Sequence, residues 1–161
     1  MINKISFRTD PRSEDIGNIR DIVASTGFFH DYEIPVAVEL VEERLKKGES
    51  TGYFFVFAMD GEKTIAYACY GEIPCTSGSY DLYWIATHND YRGKGIGRLL
   101  LAETEKEILK RGGRGIYVET SSQSKYLPTQ KFYENNQYIL EARIRDFYEP
   151  GDDKMLYVKR L

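Results

Sequence analysis

The segment Asp81-Leu-Tyr-Trp-Ile-Ala-Thr-His-Asn-Asp-Tyr-Arg-Gly-Lys-Gly-Ile-Gly97 constrains this chain more than any other. An apolar run feeds a short polar turn, the turn ends in Arg92-Gly93-Lys94-Gly95-Ile96-Gly97, and an amphipathic helical pattern follows at once. A strand, a glycine turn and a helix start together expose backbone N–H groups with no side chains in the way. Such a start binds phosphate, so a ligand carrying a pyrophosphate is expected here.

Two familiar phosphate motifs fail on this segment. The Walker pattern needs Ser or Thr after its lysine, and Lys94 is followed by Gly95. The dinucleotide fingerprint fits at Gly93 and Gly95 but meets Arg98 where its last glycine belongs. What stands is Arg-x-x-Gly-x-Gly, at Arg92, Gly95 and Gly97. The plainer alternative is a tight strand-to-helix connection that needs glycine only for its backbone.

At 161 residues the chain is read as one domain, 1–161, long enough to bury a core without staples. The apolar share of 42% and charged share of 29% are those of a globular protein rather than a disordered one. No window approaches the roughly 20 apolar residues of a membrane span, so no membrane partner is expected. Met1–Arg8 lacks the apolar stretch of a signal peptide, and a cytoplasmic protein is expected. A net charge of −3 argues weakly against nucleic acid as partner. Cys69 and Cys75 lie six residues apart in or near one predicted strand, about 20 Å if extended, too far for a disulfide. They are read as buried structural thiols. Two histidines without clustering give no basis for a metal site.

Along the chain, Ile2–Arg8 alternates as a strand. Asp10 and Pro11 suit the N-cap and first position of a helix whose stripe is Ile16, Ile19, Ile22 and Val23, stopped by Gly27. Phe28–Tyr32 is an aromatic, exposed loop. Pro35 opens a second helix with Val38, Val41 and Leu45 as its apolar face, ended by Gly48. Strands are predicted over 53–59, 64–73 and 80–87, the first two joined by Asp60-Gly61 and the next pair by a turn at Thr76–Gly78. A helix over 95–111, a strand over 115–119, a short helix over 128–135 and strands over 138–148 and 154–159 complete the order β-α-α-β-β-β-α-β-α-β-β. The fold class is α/β in the mixed α+β sense, with one central, mostly antiparallel mixed sheet flanked by helices.

The Arg-x-x-Gly-x-Gly turn between a strand and a helix resembles motif A of the GNAT N-acetyltransferase superfamily. Thr129–Tyr138, with its Phe132-Tyr133 pair, looks like the family's motif B, and Glu119 closes a strand where the family often carries an acidic residue. The element order also matches, so the resemblance covers nearly the whole chain. It departs in two places. Gln137 replaces the usual glycine after motif B, at a position that often needs a left-handed backbone, and Asn136 is expected to take that turn instead. Tyr126-Leu127-Pro128 occupies the region where many relatives carry a cofactor-contacting asparagine.

The resemblance implies acetyl-CoA as cosubstrate. Ile85, Ala86 and Thr87 would offer backbone groups to its pantetheine arm, and Arg92, Gly93, Lys94, Gly95, Ile96 and Gly97 would hold its pyrophosphate. An acceptor amine, on a small molecule or a peptide, would attack the thioester directly. A lysine-like amine has a pKa of about 10.4, so a base is useful near neutrality. Glu119 is the candidate base or else a strand-end carboxylate paired to a cation, with Glu72 and Asp81 as lesser candidates. Tyr133 is the candidate acid for the departing thiolate. Cys69 lies mid-strand and His88 beyond the end of another strand, so a nucleophile–base pair is not expected. The Phe28–Tyr32 loop and Phe147–Glu149 suit a cationic amine, or else serve as packing or homodimer contacts. Two other classes stay open: a CoA-binding regulatory module without turnover, and an enzyme that uses the glycine turn for ATP or NAD.

Overall fold

Turn chemistry sets most of the element boundaries in the computed structural model, which describes residues 4–161. The elements are β1 (Ile5–Arg8), α1 (Asp15–Ser25), α2 (Glu33–Lys47), β2 (Phe54–Asp60), β3 (Lys63–Glu72), β4 (Ser79–Thr87), α3 (Ile96–Lys110), β5 (Gly115–Ser121), α4 (Leu127–Asn135), β6 (Ile139–Glu149) and β7 (Asp152–Arg160). The strands hydrogen-bond in the order β1-β2-β3-β4-β5-β7-β6. The β4–β5 ladder is parallel, while β1–β2, β2–β3, β5–β7 and β6–β7 are antiparallel. This is the expected mixed α/β class with the expected element order. The predicted strand start at Ile2 and Asn3 lies outside the described residues. Among the described residues no helix is long and apolar enough to cross a membrane.

The chain divides into two compact units. The first comprises the residues up to Gly71 together with Leu82–Glu107. Its core is a helix-on-sheet layer. Ile19, Ile22 and Val23 of α1 and Ala37, Val38 and Val41 of α2 recur at helical spacing and bury against Phe55, Phe57, Tyr67, Cys69 and Ala86 from β2, β3 and β4. Each large side chain buried this way contributes about 1.5–3 kcal/mol. Leu45, expected on the buried face of α2, stays exposed at 38% because that face ends one turn earlier, at Val41.

Helix α1 starts later than Asp10-Pro11 predicts. Asp15 is the reason. Its fully buried carboxylate accepts from the Arg12 N–H at 2.8 Å and from both terminal nitrogens of Arg8, so the chain stays irregular up to a turn at Ser13-Glu14. Asp10 pairs instead with Arg12 and caps nothing.

The second unit comprises Glu72–Asp81 and Ile108–Leu161. Gly113 must be glycine, because a Cβ there would stand 2.2 Å from Ile108 Cγ2 as the chain doubles back under α3. Pro150-Gly151 joins β6 to β7 as a two-residue turn, with Glu149 opposite Asp152 and Gly151 at φ 83°. Behind that turn the Ser121 hydroxyl donates to the Asp152 carboxylate, and the Asp153 N–H donates to Ser122 Oγ at 2.7 Å. These bonds fix the start of β7 to the end of β5. The two thiols differ from expectation: Cys69 is buried in β3, but Cys75 is exposed in the turn beyond it, at φ 66°.

Candidate active site

In the first unit, β4 delivers Ile85, Ala86 and Thr87 to the glycine turn. The His88 N–H donates to Ile65 O at 2.8 Å and holds the strand end on β3. One 3-10 turn follows at Asn89–Tyr91. It is pinned by the Asn89 N–H donating to Ser25 Oγ at 3.0 Å and by the Asp90 N–H donating to His88 Nδ1 at 3.2 Å. Arg92, Gly93, Lys94 and Gly95 are then exposed, and buried Ile96 anchors α3. Gly93 and Gly95 sit at φ 73° and 78°, in the region that favours glycine. The first intrahelical bond runs from the Leu99 N–H to Gly95 O at 3.2 Å, so the N–H groups of Ile96, Gly97 and Arg98 have no acceptor within the helix. Lys94 folds back, its Nζ donating to Asp90 O at 3.0 Å.

Gly97 differs from the other two glycines. It lies in the first turn of α3 with a helical backbone, where glycine costs about 1 kcal/mol relative to alanine. The N–H groups of this first turn lack acceptors within the helix, and with the partial positive charge of the helix end they suit a phosphate oxygen.

In the second unit, Tyr133 lies on α4, 4% exposed, with its ring against Phe132, Tyr138 and Tyr157. Burial pushes the phenol well above its usual pKa and so keeps it a neutral donor. Its hydroxyl makes no hydrogen bond among the described residues. The turn after α4 forms at Gln137 itself, at φ 70°, and not at Asn136 as expected. Asn136 stays near φ −100° because its side chain donates back to Phe132 O at 2.7 Å. The Tyr138 N–H then closes on Tyr133 O at 3.0 Å.

Glu119 is half exposed on β5 and pairs with Lys154, its Oε1 2.8 Å from the Lys154 Nζ. The Lys154 ammonium also lies 4.5 Å from the centroid of Phe147. Asp81 on β4 is half-buried. Burial and the charge of Glu119 push its carboxyl above the usual aspartate range, with Lys154 acting the other way. Tyr148 is raised by burial and by Glu119, Asp152 and Tyr126. Glu72, the other lesser candidate, accepts from the Gly78 N–H at 2.9 Å and serves the β3–β4 turn.

Lys154 was legible only as the start of a strand. The signal that could have found it is the two-residue alternation with Leu156 and Val158, which sets a lysine on the face opposite buried Met155 and Tyr157. Burial pushes the Cys69 thiol well up, leaving it inert as a nucleophile. The aromatic loop is only partly open: Phe29 packs on Trp84 at 5.0 Å between centroids, while Tyr32 is exposed and stacks on His30. Among the described residues no three His, Cys, Asp or Glu side chains group as a metal site.

No curated protein matches the chain. Among solved structures, a GNAT-family protein from Desulfovibrio desulfuricans is 44% identical, with 98% of this chain and 99% of that chain covered at a TM-score of 0.95. The PaiA N-acetyltransferase from Thermoplasma acidophilum, in complex with coenzyme A, shares the fold at 18% identity, covering 99% and 100% of the two chains, with a TM-score of 0.74. The ribosomal-protein-S18-alanine N-acetyltransferase from Escherichia coli does so at 17% identity, covering 98% and 94%, with a TM-score of 0.72. The sequence pattern of the Acetyltransferase (GNAT) family matches residues 18–137, which take in the strand, glycine turn and helix start described above together with Glu119 and Tyr133. The chain belongs to the GNAT acetyltransferase family.

Proposed function

We propose that this protein is an acetyl-CoA-dependent N-acetyltransferase that moves the acetyl group to an amine of a small molecule or peptide by direct attack. The observation that carries this reading is Gly97, a helical glycine in a first helix turn whose N–H groups have no acceptor within the helix. A CoA pyrophosphate supplies the anion such a start binds. Coenzyme A in the Thermoplasma acidophilum structure supports the same ligand class. Because the family match takes in residues of both compact units, the two are read as one functional domain.

In this reading the amides of Arg92–Gly97 hold the pyrophosphate, and the backbone of Ile85–Thr87, beyond the Ser79–Asp81 ladder with β5, serves the pantetheine arm. A fixed amide there meets the developing oxyanion of the thioester. Tyr133, a neutral phenol with an uncommitted hydroxyl, donates a hydrogen bond to the departing thiolate. The proton of the amine goes to a carboxylate of the second unit, Glu119 or Asp81. No covalent intermediate on the protein is needed.

The test is a thermal-unfolding scan of the protein alone and with acetyl-CoA, CoA, ATP or NAD. A ligand that binds the native state raises the midpoint by mass action. A rise with acetyl-CoA and CoA but not with ATP or NAD, followed by acetyl transfer to members of an amine panel, is the expected result. A rise without transfer to any amine favours a binding module, and no rise with either CoA species removes the cofactor assignment.

A further inference from the structure

Asp81, Glu119 and Lys154 stand on neighbouring strands and project from one face of the sheet. Asp81 of β4 is opposite Tyr117 of β5, Glu119 follows Tyr117 by two residues, and Ser121, two further on, is opposite Lys154 of β7. Residues opposite one another share a face, as do residues two apart. The two carboxylates keep different company. Glu119 Oε1 is 2.8 Å from Lys154 Nζ, and the Lys154 side chain retains only 16% of its exposure, seated between that carboxylate and the ring of Phe147. The strand that carries Lys154 is held from both sides. Ser121 engages Asp152, Ser122 engages Asp153, and Asp153 in turn accepts from Arg143 Nε at 2.6 Å and from the Asp146 N–H at 2.9 Å. Asp81 makes no hydrogen bond or ion pair among the described residues.

We infer that Lys154 is a positioning residue: by engaging Glu119 it leaves Asp81 as the carboxylate that takes the proton of the incoming amine. The ion pair with Lys154 occupies one of two neighbouring carboxylates, that of Glu119. The other carboxylate has no such partner. It is half-buried and feels the remaining negative charge of Glu119, both of which favour its protonated form. The charged groups that act on Asp81 are Glu119 from β5 and Lys154 from β7, and Glu119 also acts on Tyr148.

The inference rests on the acetyltransferase reading for the identity of the reaction. Starting from an ammonium acceptor, one proton passes to Asp81 and on to water. The freed lone pair forms the C–N bond, the C–S bond breaks with its electrons on sulfur, and the second proton leaving nitrogen ends on the CoA thiol.

The experiment is a pH titration of the aspartate side-chain carboxyls of the full chain by isotope-detected NMR, with Asp81 assigned by its loss in Asp81→Asn. The Asp81 midpoint is expected above the ordinary aspartate range. It should move further up in Lys154→Met, down in Glu119→Gln, and return towards the wild-type value in Lys154→Arg. A wild-type midpoint at or below the ordinary range overturns the inference, as does a midpoint that ignores Lys154→Met. Should Lys154→Met fail to fold, Glu119→Gln decides alone, since an unmoved midpoint there has the same force. The acetyl-CoA thermal shift, measured on the same samples, should persist in every variant. Its absence from the wild-type protein removes the acetyltransferase reading and leaves the titration result standing.

Discussion

Tyr133 and Tyr157 face each other with ring centroids 6.1 Å apart, and only Tyr157 commits its hydroxyl, to Glu134 at 3.0 Å. Two buried phenols in one aromatic cluster thus differ in the group that matters for chemistry. Tyr133→Phe should lower kcat by about tenfold or more, the low end of what positioned acids contribute, and leave acetyl-CoA affinity unchanged. Tyr157→Phe should do the reverse, costing about 1 kcal/mol of stability with little effect on transfer. Steady-state kinetics beside cofactor titration checks the pair. Equal loss of rate and affinity in Tyr133→Phe would make it a packing residue.

The three glycines of the phosphate turn separate backbone need from ligand need. Gly95 requires its positive φ, so any side chain there strains the turn by about 1–2 kcal/mol before a ligand is considered. Gly97 has a helical backbone, and Gly97→Ala should hold or raise the stability of the unliganded protein, by up to about 1 kcal/mol. Gly97→Leu should keep the fold and abolish the midpoint rise given by acetyl-CoA. A folded Gly97→Leu protein with unchanged affinity would remove the pyrophosphate from this turn.

Element order was legible because local patterns and local structure agree almost everywhere. The Ile19, Ile22 and Val23 stripe, the Gly48 stop and the Asp60-Gly61 hairpin joint are short-range signals, and the chain obeys them. The start of α1 was not legible, since it is set by Arg8 reaching a carboxylate seven residues along the chain. The turn at Gln137 was misplaced because propensity favours Asn in the left-handed region, while Asn136 is held elsewhere by its bond to Phe132. In the site, the glycine turn could be read from spacing alone. The Lys154–Glu119 pair joins positions 35 apart, brought together by the β5–β7 register, and no spacing rule in the sequence announces it.

Buried phenols give the fold an alkaline limit. Tyr67 is pushed well up by burial and by the neighbouring Cys69, Tyr133 well up by burial, and Tyr157 to about 12 by burial and by Glu134. An unfolded tyrosine has a pKa of about 10. Because the folded values are raised, this contribution is complete below about pH 10 and is lost as pH climbs through the folded values. Stability should therefore fall steeply above about pH 10, and phenolate absorbance should appear together with unfolding rather than before it. Tyr67→Phe should flatten that limb. An unchanged alkaline limb in Tyr67→Phe would count against ionisation of this phenol as a cause.

Asp15 is the residue whose loss should damage the fold most directly. It is fully buried, receives both terminal nitrogens of Arg8 at 2.8 and 2.9 Å, and also accepts from the Arg12 N–H and from Asn18 Nδ2. Arg8 is itself nearly buried and lies 4.3 Å from the centroid of Phe57, so it cannot turn to water without leaving that ring. Removing one partner of a buried pair strands the other. Asp15→Leu should cost about 3–5 kcal/mol, a large part of the roughly 5–15 kcal/mol that holds a domain together. Replacing both, as Arg8→Met with Asp15→Leu, should cost less than Asp15→Leu alone, because no charge is then left buried without a partner. Denaturant midpoints of the two single variants and the double variant test this. A double variant whose loss equals the sum of the singles would show that the pair acts through packing and not through its charges.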